Sequence, residues 1–491
     1  MKKIFLFSVL SLVILSCDKD NITFAPYNAI NDEIVLLKPA DFTGVINGAY
    51  SYMIKNGGST GFGGELLIDS EIATDNVIIS PQGRQSNKSG YTFTSTPNDS
   101  HFDFYNAAYR SINSANLVLG KLDVLADGSF KDNIEGEARF IRALNHFQLL
   151  RDYAKIPTQS ADANASLGVC YLEIVDPVQK PARLTVQESY AKVVSDLLIA
   201  KDKIGNNTIT DGHAGKVAVY ALLSRAYLYM GQWQDCIDNA NLAISNYSGD
   251  VATRAQFYTN ATTGLWEDSN SAGVLFKLRV DVVDLTAPGA SYQAAVTAGV
   301  VYSQAAGTQT KSEYVVSKEF YDKFQATDIR KAAYIKTGPF ASKIYNNISK
   351  YDGRGAGTKN LVDIKVMRIE EVYLNKAEAE YNLNGGGLAS LNKVRSNRYS
   401  PFVSGGETGQ ALFDAIQLER RLELAFEMDR FYTLKRLNLP VVRSATDGHY
   451  ADGTGTPPQF ATLPAGDFRW QFPIPKDERD INENLEQNPG Y

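Results

Sequence analysis

The sequence predicts a mainly α-helical protein built from stacked helical hairpins, with long loops and a few short strands, and three stretches predict it. Gly215 to Tyr247, GKVAVYALLSRAYLYMGQWQDCIDNANLAISNY, reads as two amphipathic helices. Val219, Leu222, Ala226 and Tyr229 recur at helical spacing on the first, Cys236, Ala240 and Ala243 on the second, and Met230-Gly231-Gln232 is the turn. Glu135 to Ile156 repeats the pattern with Phe140, Leu144, Phe147 and Leu150, and Pro157 stops it. Arg368 to Asn382 and Leu388 to Arg398 flank Gly385-Gly386-Gly387 as a further hairpin on a glycine turn. One hairpin cannot bury its apolar face alone, so these units imply stacked neighbours.

Along the chain, Lys2-Lys3, the apolar run Ile4 to Leu15 and Ser16-Cys17 form a basic, then hydrophobic, then small-residue series typical of a secretory signal. Residues 1–16 are expected to be removed. Asp18 to about Pro39 is polar and aperiodic, as a tether is. Asp41 to Lys55 is expected to be helical with Asp41 as its cap, and Asn56 to Gly61 to be a loop. Ser80 to Asp99, with Pro81 and Pro97, reads as a long surface loop before a helical, aromatic-rich Asp99 to Leu125. Arg139, Arg142 and Arg151 occupy the polar faces of the Glu135–Ile156 helix. Thr185 and Glu188 are spaced as a capping box opening a helix through Val186, Tyr190, Val193 and Leu197. In the hairpin that follows, Tyr227, Gly231, Trp233, Ala240 and Ala243 fall where a tetratricopeptide repeat of about 34 residues places its aromatics, turn glycine and small packing residues.

Residues 248–311 are rich in glycine, serine and threonine and form a loop-rich insertion, with Leu275 to Val283 as a short strand. Leu412 to Leu437 is expected as one long helix with Leu418, Leu422, Ala425 and Tyr432 on a single face, ended by Pro440. Pro473, Pro475 and Pro489 keep the tail from forming a continuous helix.

Composition removes several functions. With 44% hydrophobic and 21% charged residues the 491-residue chain is globular, and a net charge of -6 with no basic cluster argues against nucleic acid. The four histidines, His101, His146, His213 and His449, have no metal-ligand spacing, and no cofactor fingerprint is present. Gly57-Gly58-Ser59-Thr60-Gly61 matches G-x-S-x-G but lacks the strand-to-helix context of a nucleophile elbow. Gly353-Arg354-Gly355-Ala356-Gly357 lacks the last glycine of a dinucleotide loop, since Thr358 stands there. Cys236 reads as a small core residue, and neither it nor Cys170 needs a disulfide.

Four ordered stretches resemble the SusD/RagB family of outer-membrane nutrient-binding lipoproteins: EARFIRALNHFQLLRDYAKIP, RIEEVYLNKAEAEYNLNGG with SLNKVRSNR, ERRLELAFEMDRFYTLKRLN, and FPIPKDERDINENLEQNPGY at the C-terminus. Ile14-Leu15-Ser16-Cys17 resembles a lipobox, in which Cys17 is acylated, and Asp18-Lys19-Asp20 resembles a surface-export signal. The resemblance implies a SusD-like fold on tetratricopeptide-like hairpins with long ligand-binding loops. Its organisation would be a signal peptide (1–16), a lipidated tether (17–40), an N-terminal region (41–247) and a C-terminal region (248–491). It further implies a lipid-anchored outer-membrane protein facing the exterior, partnered with a SusC-type TonB-dependent transporter. The expected function is capture of an oligosaccharide or polysaccharide without catalysis. A peptide ligand, a surface glycoside hydrolase and a purely structural scaffold are the alternatives. The signature residues Glu419, Arg420, Arg421, Glu423, Glu427 and Arg430 are spaced for ion pairs rather than catalysis.

A sugar offers apolar C–H faces to aromatic rings and hydroxyls to polar side chains, so a glycan site places aromatics beside polar loop residues. Trp266, Tyr292 and Tyr302 in the insertion meet that description, as do Tyr91 and Phe93 beside Arg84 and Asn87 in the earlier loop.

Overall fold

In a computed structural model of the chain, residues 36–54, 61–81, 85, 87–99, 104–207, 211–260, 263–280, 313–340, 342–351, 353–354 and 362–491 are described. Cys17, the signal segment and the Asn56–Thr60 loop fall outside these residues.

The scaffold is a stack of antiparallel helices. Pro39–Ile54 packs on Phe104–Leu119, which packs on Ser129–Tyr153. That helix pairs with Val186–Lys203, and the Lys216–Met230/Trp233–Asn246 hairpin follows. Trp233–Asn246 then packs on Ile369–Asn384, which carries Leu388–Arg395 and Gly409–Glu423. The architecture is therefore the expected mainly α fold of tetratricopeptide-like hairpins.

Local chemistry explains most boundaries. Thr185 accepts a hydrogen bond from Glu188 N (3.2 Å) while the Glu188 carboxylate accepts from Thr185 N (2.9 Å), a complete capping box. Gly231 ends its helix at φ 71°, a left-handed conformation that frees Gln232 N to donate to Tyr227 O at 2.9 Å. Gly136 lies against the backbone of Ile204, where an added Cβ would stand 2.5 Å from Ile204 N, so close helix packing requires glycine there. Cys170 and Cys236 are buried free thiols.

From Phe140 to Tyr153 the Ser129–Tyr153 helix is buried on every side, so Arg142 and Arg151 do not face water, whereas Arg139 stays partly exposed. Arg142 pairs with Asp196 at 2.6 Å, and Arg151 lies 3.7 Å from the centre of the Tyr432 ring. His146, on the same helix, donates from Nδ1 to Arg142 O (2.9 Å) and accepts from Leu172 N at Nε2 (3.1 Å). Burial pushes this imidazole down from the usual 6.5 to about 3. The folded state thus excludes a proton that the unfolded chain takes up below pH 6.5, so this contribution to stability is complete above that pH and is lost as the pH falls toward 3. Urea unfolding at pH 7, 5 and 4 is expected to show a declining stability, with a shallower slope for His146→Gln.

Three expectations are corrected. The Leu412–Leu437 helix is broken: Gly409–Glu423 and Arg430–Arg436 are separate, with Phe426 and Met428 at φ 65° and 60° between them. Lys350 Nζ and Tyr351 OH take the carbonyls of Ala425 (2.7 Å) and Phe426 (2.8 Å), and Arg151 takes that of Met428. These distant donors replace the helical hydrogen bonds. Leu418, expected on the buried stripe, is 39% exposed. The Ser80–Asp99 segment is not loop throughout, because Lys88–Thr92 is a short helix whose Tyr91 is fully buried.

The strands form two-stranded antiparallel pairs. Val274–Leu278, within the expected strand, pairs with Ile364–Arg368. Ile335–Phe340 and Lys343–Ile348 form a hairpin that the sequence reading did not contain.

Candidate functional site

The two loop regions nominated from sequence leave one strand pair at the same end. Val77–Ile79 pairs with Tyr314–Val316 so that Ile79 stands opposite Tyr314, and Ser80 N donates to Glu313 O at 2.8 Å. Ser80 begins the polar loop, and Glu313 lies just beyond the insertion. Against this pair packs a second layer: Tyr345 of the Lys343–Ile348 strand and Tyr450 join Ile78 and Val315 in a small apolar cluster.

Tyr450 belongs to a tight turn in which Gly448 N donates to Gly453 O (2.7 Å), Tyr450 N to Thr454 O (3.0 Å) and Ala451 N to Ile344 O (2.8 Å). Its ring meets Tyr345 edge-on at 5.3 Å and His449 at 4.2 Å, and Lys343 Nζ lies 5.1 Å from its centre. Tyr450 is half-buried, so the ring is held rigidly with part of it open to solvent beside the exposed Lys343 and Asp452. The earlier criterion of aromatics beside polar loop residues was met by Gly448 to Thr456, yet Tyr450 was not among the residues nominated.

The nominated residues are placed otherwise. Trp266 is fully buried, edge-on to Phe257 and Tyr334 at 5.9 and 5.8 Å, with Lys350 Nζ 4.0 Å from its centre. No face of it is open to a sugar. Tyr91 and Phe93 are also buried, with the Arg443 guanidinium 3.9 and 4.7 Å from their ring centres. Arg443 is itself buried and donates to the carbonyls of Ile72, Thr74, Tyr91 and Phe460, and the two rings complete its enclosure. These three aromatics are corrected to packing residues. Asn87, half-buried at φ 55°, donates to Asp69 at 2.8 Å. Arg84, Tyr292 and Tyr302 lie outside the described residues.

The signature carboxylates are committed to ion pairs. Glu423 faces Arg330 (3.1 Å), Arg368 (2.9 Å) and Arg398 (2.9 Å), and Glu419 faces Arg330 at 2.6 Å. Burial would raise the Glu423 pKa, but the charges of Arg398, Arg368 and Arg330 outweigh it and hold the carboxyl well below the usual range. Glu71 is pushed up to about 7 by burial, yet it is sealed in the interior against Asn76 and Phe426 N. A raised carboxyl marks a general acid only where substrate can reach it. Among the described residues, no group of three or more His, Cys, Asp or Glu is placed to hold a metal ion. No helix there is long and apolar enough to cross a membrane.

On this hairpin-repeat scaffold one half-buried ring, Tyr450, stands beside exposed polar residues, a geometry suited to binding. Family models identify the kind of protein. One, described as SusD-like and starch-binding, associating with the outer membrane, matches residues 41–228, and the SusD family model matches residues 255–491. The chain belongs to the SusD/RagB family. It is 24% identical over 531 residues to SusD-like protein P2 of Formosa agariphila, covering 99% of each. A solved SusD superfamily structure from Bacteroides thetaiotaomicron matches 92% of this chain and 100% of its own, at 24% identity and a TM-score of 0.77. A SusD-like carbohydrate-binding protein from Bacteroides vulgatus matches 92% of this chain and 98% of its own, at 22% identity and a TM-score of 0.75.

Proposed function

We propose that the protein is a cell-surface lipoprotein that captures an oligosaccharide or polysaccharide, without cleaving it, and passes it to a SusC-type TonB-dependent transporter. The observation that carries this reading is the match of two models of one family, one described as starch-binding at the outer membrane, along most of the chain. Anchoring through Cys17 after loss of residues 1–16, with 17–40 as tether, would hold the binder beside its transporter. Delivery then becomes effectively intramolecular, and modest affinity suffices. In this reading 41–247 and 248–491 are two regions of one binding body, and the ligand meets the loop face at Tyr450, with Arg84, Tyr292 and Tyr302 as further contacts.

Titration of the full chain with starch oligosaccharides, other glycans and peptides is the test. Glycan binding is expected, with Tyr450→Ala weakening it about tenfold through loss of a stacking face. Binding of peptides alone would make the protein a peptide-uptake component instead, and release of shorter sugars would make it a hydrolase. Cys17→Ala is expected to release the protein from membranes.

A further inference from the structure

A concavity that shares no residue with the Tyr450 rim lies between the Phe104–Leu119 helix and the C-terminal tail, with a volume of about 360 Å³. One wall is a helical stripe, Asn106, Tyr109, Arg110 and Asn113, whose spacing puts all four on one face. The opposite wall is Glu478, Ile481 and Asn482, and the floor includes Leu172, Pro177 and Leu485.

The cleft is preformed. Tyr109 OH donates to Cys170 O at 2.9 Å, and Asn116 Nδ2 donates to Leu172 O at 3.0 Å, which fastens the floor to the helix. Asn482 and Asn484 donate to Pro181 O (2.9 Å) and Lys180 O (2.8 Å), fastening it to the tail. By contrast, the side chains of Arg110, Asn113 and Gln179 line the cleft and have no hydrogen-bond or ion-pair partner among the described residues.

The chemistry of the walls narrows the occupant. An apolar floor, the partly exposed Tyr109 ring and unspent amide and guanidinium donors suit a molecule with both C–H faces and hydroxyls. Arg110 is offset by Glu478 and Asp176, so the rim has no strong net sign, and a neutral ligand fits better than an anion. A volume near the lower end of ligand pockets, roughly 300 to 1,000 Å³, suits a short unit rather than a buried polymer. We infer that this cleft is a second sugar-binding site, taking a neutral mono- or disaccharide unit of the captured glycan. The inference rests on the glycan-binding reading above. Lys476 N, at the head of the tail helix, donates to Pro97 O at 2.8 Å, so the segment that starts at the rim with Ser80 ends beside the cleft.

The test is saturation-transfer NMR titration of the full chain with maltose, cellobiose and, as a longer probe, maltoheptaose. Arg110→Ala/Asn113→Ala removes two unpartnered groups, and Asn113→Trp fills the cleft. Both are expected to keep the wild-type melting temperature and to weaken disaccharide binding at least about tenfold, as loss of two hydrogen-bonding groups does. Tyr450→Ala is expected to leave disaccharide binding at the cleft in place. If both cleft variants bind every sugar as the wild type does, the second site is overturned while the proposed function stands. If no sugar of any length binds the wild type, the glycan reading fails and the cleft assignment with it.

Discussion

Replacing Glu423 by alanine is expected to destabilise the protein by about 3 to 5 kcal/mol, because it strands buried positive charge. Glu423 is 0% exposed and accepts from three arginines that are themselves buried. Arg330 retains Asp328 and Glu419, Arg368 retains Glu370 and Glu427, and Arg398 retains Glu370, so each keeps at least one partner but loses the carboxylate they share. Urea unfolding checks this. Glu423→Gln keeps the shape and some hydrogen bonds and is expected to cost less. Equal stability of Glu423→Ala and the wild type would show that the cluster is not a structural hub. Because the folded pKa is depressed, the wild-type contribution is present above the ordinary carboxylate range and lost as the pH falls below it.

Trp266→Ala is the second large effect, about 3 to 5 kcal/mol of lost stability from a buried cavity. The indole also faces Lys350, which burial pulls down to about 7 and which lies 3.8 Å from the Tyr334 ring centre. Removing one of the rings that enclose this amine adds to the loss, since a desolvated cation–π contact is worth about 2 kcal/mol. Thermal unfolding measures it. At temperatures where the variant stays folded, its glycan affinity is expected to match the wild type, which separates a packing role from a ligand-stacking one. A variant that is stable yet binds no glycan would restore Trp266 to the site.

The helical hairpins were legible because their signals are local. Apolar residues at helical spacing, the Thr185 capping box and Gly231 each act within a few positions of themselves. The Ile335–Phe340/Lys343–Ile348 hairpin was not legible, since Pro339 and the polar Asn346-Asn347 break the alternation that marks a strand. Within the loop regions nominated from sequence, the residues themselves do not announce that Trp266, Tyr91 and Phe93 are enclosed. Arg443 approaches Tyr91 from the far end of the chain, and no property of residues 80–99 announces it. Tyr450 has glycines and polar residues for neighbours in sequence, but that its ring packs on Tyr345 and stays half-buried is a property of the tertiary fold.

From its own residues the sequence determined the repeat scaffold, the family motifs and the ion-pairing character of the signature segment, because spacing and turn chemistry are properties of neighbouring residues. Only the tertiary structure decided where the Leu412–Leu437 helix breaks, which aromatics are enclosed and where a cleft opens. Those outcomes depend on donors such as Lys350, Tyr351 and Arg443 that arrive from distant segments, and their burial makes them find acceptors and ring faces wherever the fold brings them.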